Sequence, residues 1–137
     1  MLRTCFMSIA CVVPSHAVSF EDWNCKAVLG RGAFGVVRLV YPKGKDSTLY
    51  ALKGLKKWHV VKNGQEKSVV MERDVNAQCY HPCIVQFIKT FQDKQKIYFL
   101  TEFLGGGDVF FALREIGALT KLQSQFFSRS APRRQRE

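Results

Sequence analysis

Residues 30 to 37 read Gly-Arg-Gly-Ala-Phe-Gly-Val-Val. Three glycines at this spacing call for a tight backbone excursion, and the residues after the last of them decide its kind. In a βαβ unit the last glycine opens a helix, and an acid about 20 residues further on holds a ribose. Here the last glycine opens Val36-Val37-Arg38-Leu39-Val40-Tyr41, a β-branched and apolar run that reads as a strand. Where the acid would stand, the chain reads Leu49-Tyr50-Ala51-Leu52-Lys53. The loop is therefore expected to be a hairpin between two strands. Gly30, Gly32 and Gly35 put no Cβ between backbone N–H groups and an anion, which suits a chain of phosphates. Lys53, inside the next apolar strand, could add a point positive charge to the same phosphates. Glu72, in a helical stretch, could hold that lysine in place. Three separated features converge on a nucleoside triphosphate.

The rest of the pattern gives the frame. Residues 23–29 and 36–41 are expected strands flanking the loop, and residues 42–47 form a polar turn. Residues 48–55 are a third strand carrying Lys53. Residues 56–64 read as a basic connection ending in the turn signal Asn63-Gly64. Residues 65–79 are helical, with Val69, Val75 and Cys79 near one face, and Pro82 closes the segment. Residues 85–91 and 97–103 are two more strands, and residues 108–116 and 121–129 two more helices. This order predicts an α+β fold, a five-stranded antiparallel sheet with one inserted helix. The chain has 137 residues, 47% of them hydrophobic, enough for one domain with a core and too many for global disorder.

These motifs together resemble the N-terminal half of a protein kinase catalytic domain. The glycine loop, Tyr50-Ala51-Leu52-Lys53 and the glutamate in Met71-Glu72-Arg73-Asp74 carry the likeness. Phe20-Glu21-Asp22-Trp23, His81-Pro82-Cys83-Ile84-Val85 and Glu102-Phe103-Leu104-Gly105-Gly106-Gly107-Asp108 resemble the AGC group of serine/threonine kinases, especially its cyclic-nucleotide-dependent members. The likeness runs from about Phe20 to about Phe127. It implies an N-terminal extension over residues 1–19 and an ATP-binding small lobe over 20–104. Residues 105–128 would hold the end of the hinge and the first helices of an incomplete large lobe, and 129–137 a divergent basic tail.

The resemblance implies transfer of the γ-phosphoryl group of ATP to a protein serine or threonine with basic residues nearby. Lys53 would contact the α- and β-phosphates and Glu72 would pair with it. Leu29, Gly30, Gly32 and Gly35 would cover the nucleotide. Val37, Ala51 and Val109 would sandwich the adenine, and Thr101 would close the back of the pocket. The backbone of Glu102 and Leu104 would bond the adenine edge, and Asp108 would reach a ribose hydroxyl. Mg²⁺ is expected by family, but His-Arg-Asp, Asp-Phe-Gly and Ala-Pro-Glu occur nowhere in the sequence. The residues that would act as base and hold metal are thus missing, and the chain alone is expected to be inactive. The alternative is a noncatalytic piece that binds nucleotide or a kinase partner. Asn76 departs from the family pattern, which has a large apolar residue there. An unpartnered amide at such a site costs about 1–3 kcal/mol.

Charge and cysteines add exclusions. The net charge of +10 is spread over Lys43, Lys45, Lys53, Lys56, Lys57, Lys62, Lys94, Lys96 and the tail. No basic-aromatic platform interrupts it, so it reads as solvated charge without a nucleic-acid partner. The five cysteines are odd in number and lack a disulfide framework. Cys79-Tyr80-His81-Pro82-Cys83 offers too few ligands for a closed zinc site, so no metal site is expected. Reduced thiols and a need for ATP suggest the cytoplasm. Residues 1–17 resemble a signal peptide, but their apolar run is too short to span a bilayer, so no stable membrane insertion is expected.

Overall fold

Alternating apolar and β-branched runs build the sheet. The computed structural model describes residues 19–33, 35–44, 47–107 and 109–130, without the side chain of Ser130. In chain order the elements are a 3₁₀ turn (Phe20–Asp22), β1 (Trp23–Arg31), β2 (Gly35–Pro42), β3 (Tyr50–Lys56), α1 (Lys57–Lys62), α2 (Glu66–Gln78), β4 (Phe87–Gln92), β5 (Lys96–Glu102), α3 (Val109–Ile116) and α4 (Lys121–Ser130). The five strands form one antiparallel sheet in the order β1-β2-β3-β5-β4.

These elements fall into two units. The first comprises the described residues up to Tyr80 together with Gln86–Phe103. The second comprises His81–Val85 and the described residues from Leu104 onward.

Pleating divides the core of the first unit in two. Leu55, Ile97 and Phe99 point to one face and pack with Val60 of α1 and Val69 of α2. Val40, Leu52, Phe91, Tyr98 and Leu100 point to the other, where Phe20, Trp23 and Tyr50 cover them. The Phe20 ring stacks on Tyr98 at 5.2 Å. Strand β5 feeds both clusters, which explains its unbroken apolar run. Ile97 and Leu100 are fully buried, and each contributes about 1.5–3 kcal/mol of hydrophobic stabilisation. The edge strand β1 is mostly exposed.

Two expectations need correction. The basic connection is more than a turn: it contains α1, which buries Val60 and is capped by the Asn63 amide donating to the His59 carbonyl at 2.7 Å. A six-residue helix is too short to betray itself by periodicity. On α2 the buried residues are Val69 and Arg73, while Val75 and Cys79 are exposed. Residues four apart share a helix face, so Val69 aligns with Arg73 and not with Val75. Arg73 bonds Asp74 through Nε at 2.7 Å. Asn76 lies half-buried on the same stripe.

In the second unit the turn at His81 is closed by Ile84 N–H donating to the His81 carbonyl and Cys83 N–H donating to His81 Nδ1. Helix α3 ends at Gly117, whose positive φ of 80° suits glycine. Helix α4 starts with a reciprocal cap: Gln123 N–H donates to Thr120 Oγ1, and Thr120 N–H donates to Gln123 Oε1.

Candidate functional site

The site is built on the helix-facing side of the sheet. Along β3, Ala51, Lys53 and Leu55 point the same way. Lys53 stands opposite Val37 of β2 and Phe99 of β5. Its ammonium lies 5.8 Å from the centre of the Phe99 ring. It donates to Glu72 Oε1 at 2.6 Å, joining sheet to helix. The two side chains are 40% and 41% exposed. An ion pair this open contributes at most about 1 kcal/mol to stability. Its consequence is positional: the ammonium is held over the face that Val37 and Ala51 share.

The hairpin before it closes with Gly32 and Gly35 exchanging backbone hydrogen bonds of 2.9 and 3.4 Å. Its glycines have different reasons to be there. A Cβ on Gly35 would lie 1.8 Å from the Gly54 carbonyl oxygen and 3.2 Å from Leu55 Cα. That glycine is required by the packing of β2 on β3. A Cβ on Gly30 or Gly32 would meet nothing within 4 Å. The space beside these two is open, and nothing in the described fold forbids a side chain there.

Leu29 is exposed, whereas Val37, Ala51 and Thr101 are half-buried. Ala51 and Thr101 are cross-strand partners, and Thr101 Oγ1 lies 3.5 Å from the Ala51 carbonyl oxygen. Glu102 is tied twice to Gln86. Its N–H donates to the Gln86 carbonyl at 3.0 Å, and its Oε1 accepts from Gln86 N–H at 2.7 Å. The first unit therefore contains Leu29, Gly30, Gly32, Gly35, Val37, Ala51, Lys53, Glu72, Thr101 and Glu102. Leu104 belongs to the second unit, where it is 58% exposed, and Val109 there is also exposed. Asp108 lies outside the described residues, as does the whole N-terminal stretch read as signal-like.

Sequence reasoning missed the Phe99 ring beneath Lys53, the Gln86–Glu102 tie and the dependence of Gly35 on Gly54. The last had a signal, because an isolated glycine inside a strand marks a close backbone approach. Among the described residues no cluster of three or more His, Cys, Asp or Glu could hold a metal ion. None of the described helices is long and apolar enough to cross a membrane.

A glycine hairpin, a strand lysine and a helix glutamate on a five-stranded sheet define a known class. The chain belongs to the protein kinase domain family, whose sequence pattern matches residues 23–131. The sheet with its glutamate-bearing helix is consistent with that family's small lobe, and α3 and α4 with the start of its large lobe. The chain is 39% identical over 110 residues to a cGMP-dependent protein kinase of Toxoplasma gondii and 40% identical over 110 residues to one of Eimeria tenella. Each match covers 80% of this chain and 11% of the relative. It is 38% identical over 107 residues to the serine/threonine-protein kinase tricornered of Drosophila pseudoobscura pseudoobscura, covering 78% of this chain and 23% of that protein.

Proposed function

We propose that the first unit is the nucleotide-holding part of an AGC-type serine/threonine kinase. The observation that carries this reading is the Lys53–Glu72 pair at 2.6 Å, standing on the sheet that continues into a hairpin open at Gly30 and Gly32. Lys53 neutralises charge on the α- and β-phosphates of ATP, and Glu72 fixes its direction. Backbone groups at Gly30 and Gly32 approach the phosphates, and Leu29, Val37 and Ala51 contact the base. The N–H of Glu102 is committed to Gln86, so a hinge contact from Glu102 comes from its carbonyl. In the whole protein the γ-phosphoryl group passes to serine or threonine of a protein with nearby basic residues, in the cytoplasm. The sequence holds none of the motif residues that would bind Mg²⁺, so no metal-dependent step is assigned to these residues.

Two measurements test this. Titration of the 137-residue chain with ATP should give a dissociation constant of about 1 mM or weaker, near −4 kcal/mol, abolished by Lys53→Met. Incubation with Mg-ATP and a basic serine peptide should give no incorporation above the Lys53→Met control. Micromolar binding indifferent to Lys53, or Lys53-dependent phosphorylation, would contradict the proposal.

A further inference from the structure

Four lysines that look scattered in the sequence meet at one end of the first unit's sheet. Lys56, Lys57, Trp58, Lys94, Gln95 and Lys96 line a half-open cleft of about 480 Å³. None of them belongs to the nucleotide site. Lys56 and Lys96 are direct cross-strand partners, a like-charged arrangement that destabilises a sheet. Among the described residues neither they nor Lys94 forms an ion pair within 4 Å, and the acid acting on Lys96 is Asp93 in the connecting turn. The acid in the connecting turn is occupied. Asp93 accepts N–H bonds from Gln95 and Lys96 at 2.6 and 2.7 Å and the Tyr98 hydroxyl at 2.8 Å. Lys57 Nζ donates to the Asp93 carbonyl at 2.6 Å, which holds its charge at the cleft wall. Partial burial lowers the Lys57 pKa against the opposing pull of Asp93. Trp58 stands 59% exposed beside these ammonium groups, one face stacked on His59 at 5.0 Å.

Asp93 offsets part of the charge of Lys57 and Lys96, while the opposed Lys56 and the turn residue Lys94 add positive charge that no ion pair among the described residues compensates. A concentrated positive potential beside an apolar surface does suit an anionic partner. Lysine ammonium groups are compact point charges on flexible stems and lack the planar fork of arginine. Several of them around a concave space fit carboxylates spaced along a chain. A membrane surface or a duplex would call for a broader, flatter array. We propose that this cleft docks an acidic peptide segment, with carboxylates on Lys56, Lys94 and Lys96 and an apolar side chain against Trp58.

The test uses the 137-residue chain and the peptide Glu-Glu-Asp-Phe-Glu-Asp-Glu, titrated calorimetrically at low salt. Saturable binding that weakens with added salt is expected. Lys56→Glu places a carboxylate opposite Lys96, so it should raise Tm by about 1–4 °C while weakening the peptide at least about fivefold. Lys94→Glu, in an exposed turn, should weaken it by a similar factor with Tm unchanged. Trp58→Ala should cost about threefold, and Lys43→Glu, outside the cleft, less than twofold. Absence of saturable binding overturns the proposal. So does equal loss on Lys43→Glu, which would mean net charge alone. Tighter binding of a single-stranded RNA oligomer or of phosphatidylserine vesicles, lost on the same Lys56 and Lys94 substitutions, also overturns it.

Discussion

Gly35→Ala should damage the fold, whereas Gly30→Ala and Gly32→Ala should not. The added methyl at residue 35 would sit 1.8 Å from the Gly54 carbonyl oxygen and 2.8 Å from the Gly54 carbonyl carbon. An ordinary carbon–oxygen contact is near 3.4 Å, so β2 and β3 must part locally by about 1.5 Å. The atom in the way is backbone, so no side-chain rotation relieves the clash. Overpacking of this kind costs about 1–3 kcal/mol, and losing one ladder hydrogen bond adds about 1 kcal/mol. The sum, about 2–4 kcal/mol, is a large part of the 5–15 kcal/mol that holds a typical domain. At Gly30 and Gly32 the new methyl meets open space and neither backbone has positive φ. Those two changes should be neutral or stabilise by up to about 1 kcal/mol through the unfolded chain. Urea unfolding followed by circular dichroism measures all three. If Gly35→Ala falls within about 0.5 kcal/mol of Gly32→Ala, the packing argument is wrong.

Burial pushes the Asp93 carboxyl up, but the N–H bonds from Gln95 and Lys96 and the Tyr98 hydroxyl outweigh it and hold its pKa below the usual value. A depressed carboxyl contributes stability that is present above its unfolded pKa and lost as pH falls through the lower folded value. Asp93 is exposed, so solvent screens much of this effect, and Asp93→Asn should cost no more than about 1 kcal/mol at neutral pH while flattening the acid limb of the pH–stability curve. An unchanged acid limb would remove Asp93 from that role. The exposed Phe110, Phe111, Leu122 and Phe126 of α3 and α4 should drive association. Light scattering should show less of it when residues 105–137 are deleted, and a monodisperse parent chain would count against this.

How legible was this molecule? The five strands and the Lys53–Glu72 pairing could be read because strand patterning is local and the motif spacing is rigid. The face of α2 was misread because a polar residue, Arg73, is buried there, and apolar content alone points elsewhere. Helix α1 was missed because it is held by one buried side chain, Val60, and a C-terminal cap rather than by a repeating stripe. The lysine cleft was illegible for a different reason. Its residues come from two segments that β3–β5 pairing brings together, so the charge looks diluted along the chain. The separate reasons for Gly35 and for Gly30 and Gly32 also needed coordinates, since one motif contains all three.

The pleat of β3 turns chain length into a constraint as strict as residue identity. Lys53 meets Glu72 because odd-numbered positions from Ala51 to Leu55 share the helix side of the sheet. Inserting or deleting a single residue between Tyr50 and Lys53 would send the lysine to the Tyr98 side and bring Leu52 or Gly54 to the helix side. Such a change could leave the composition and the motif letters nearly intact while separating the charges by the thickness of the sheet. Variants of this chain should therefore accept length changes at Lys43–Gly44 or Asn63–Gly64, where turns absorb them, and not within this strand. A paralogue or splice form that keeps every motif residue yet shifts β3 by one position should be counted as having lost the site.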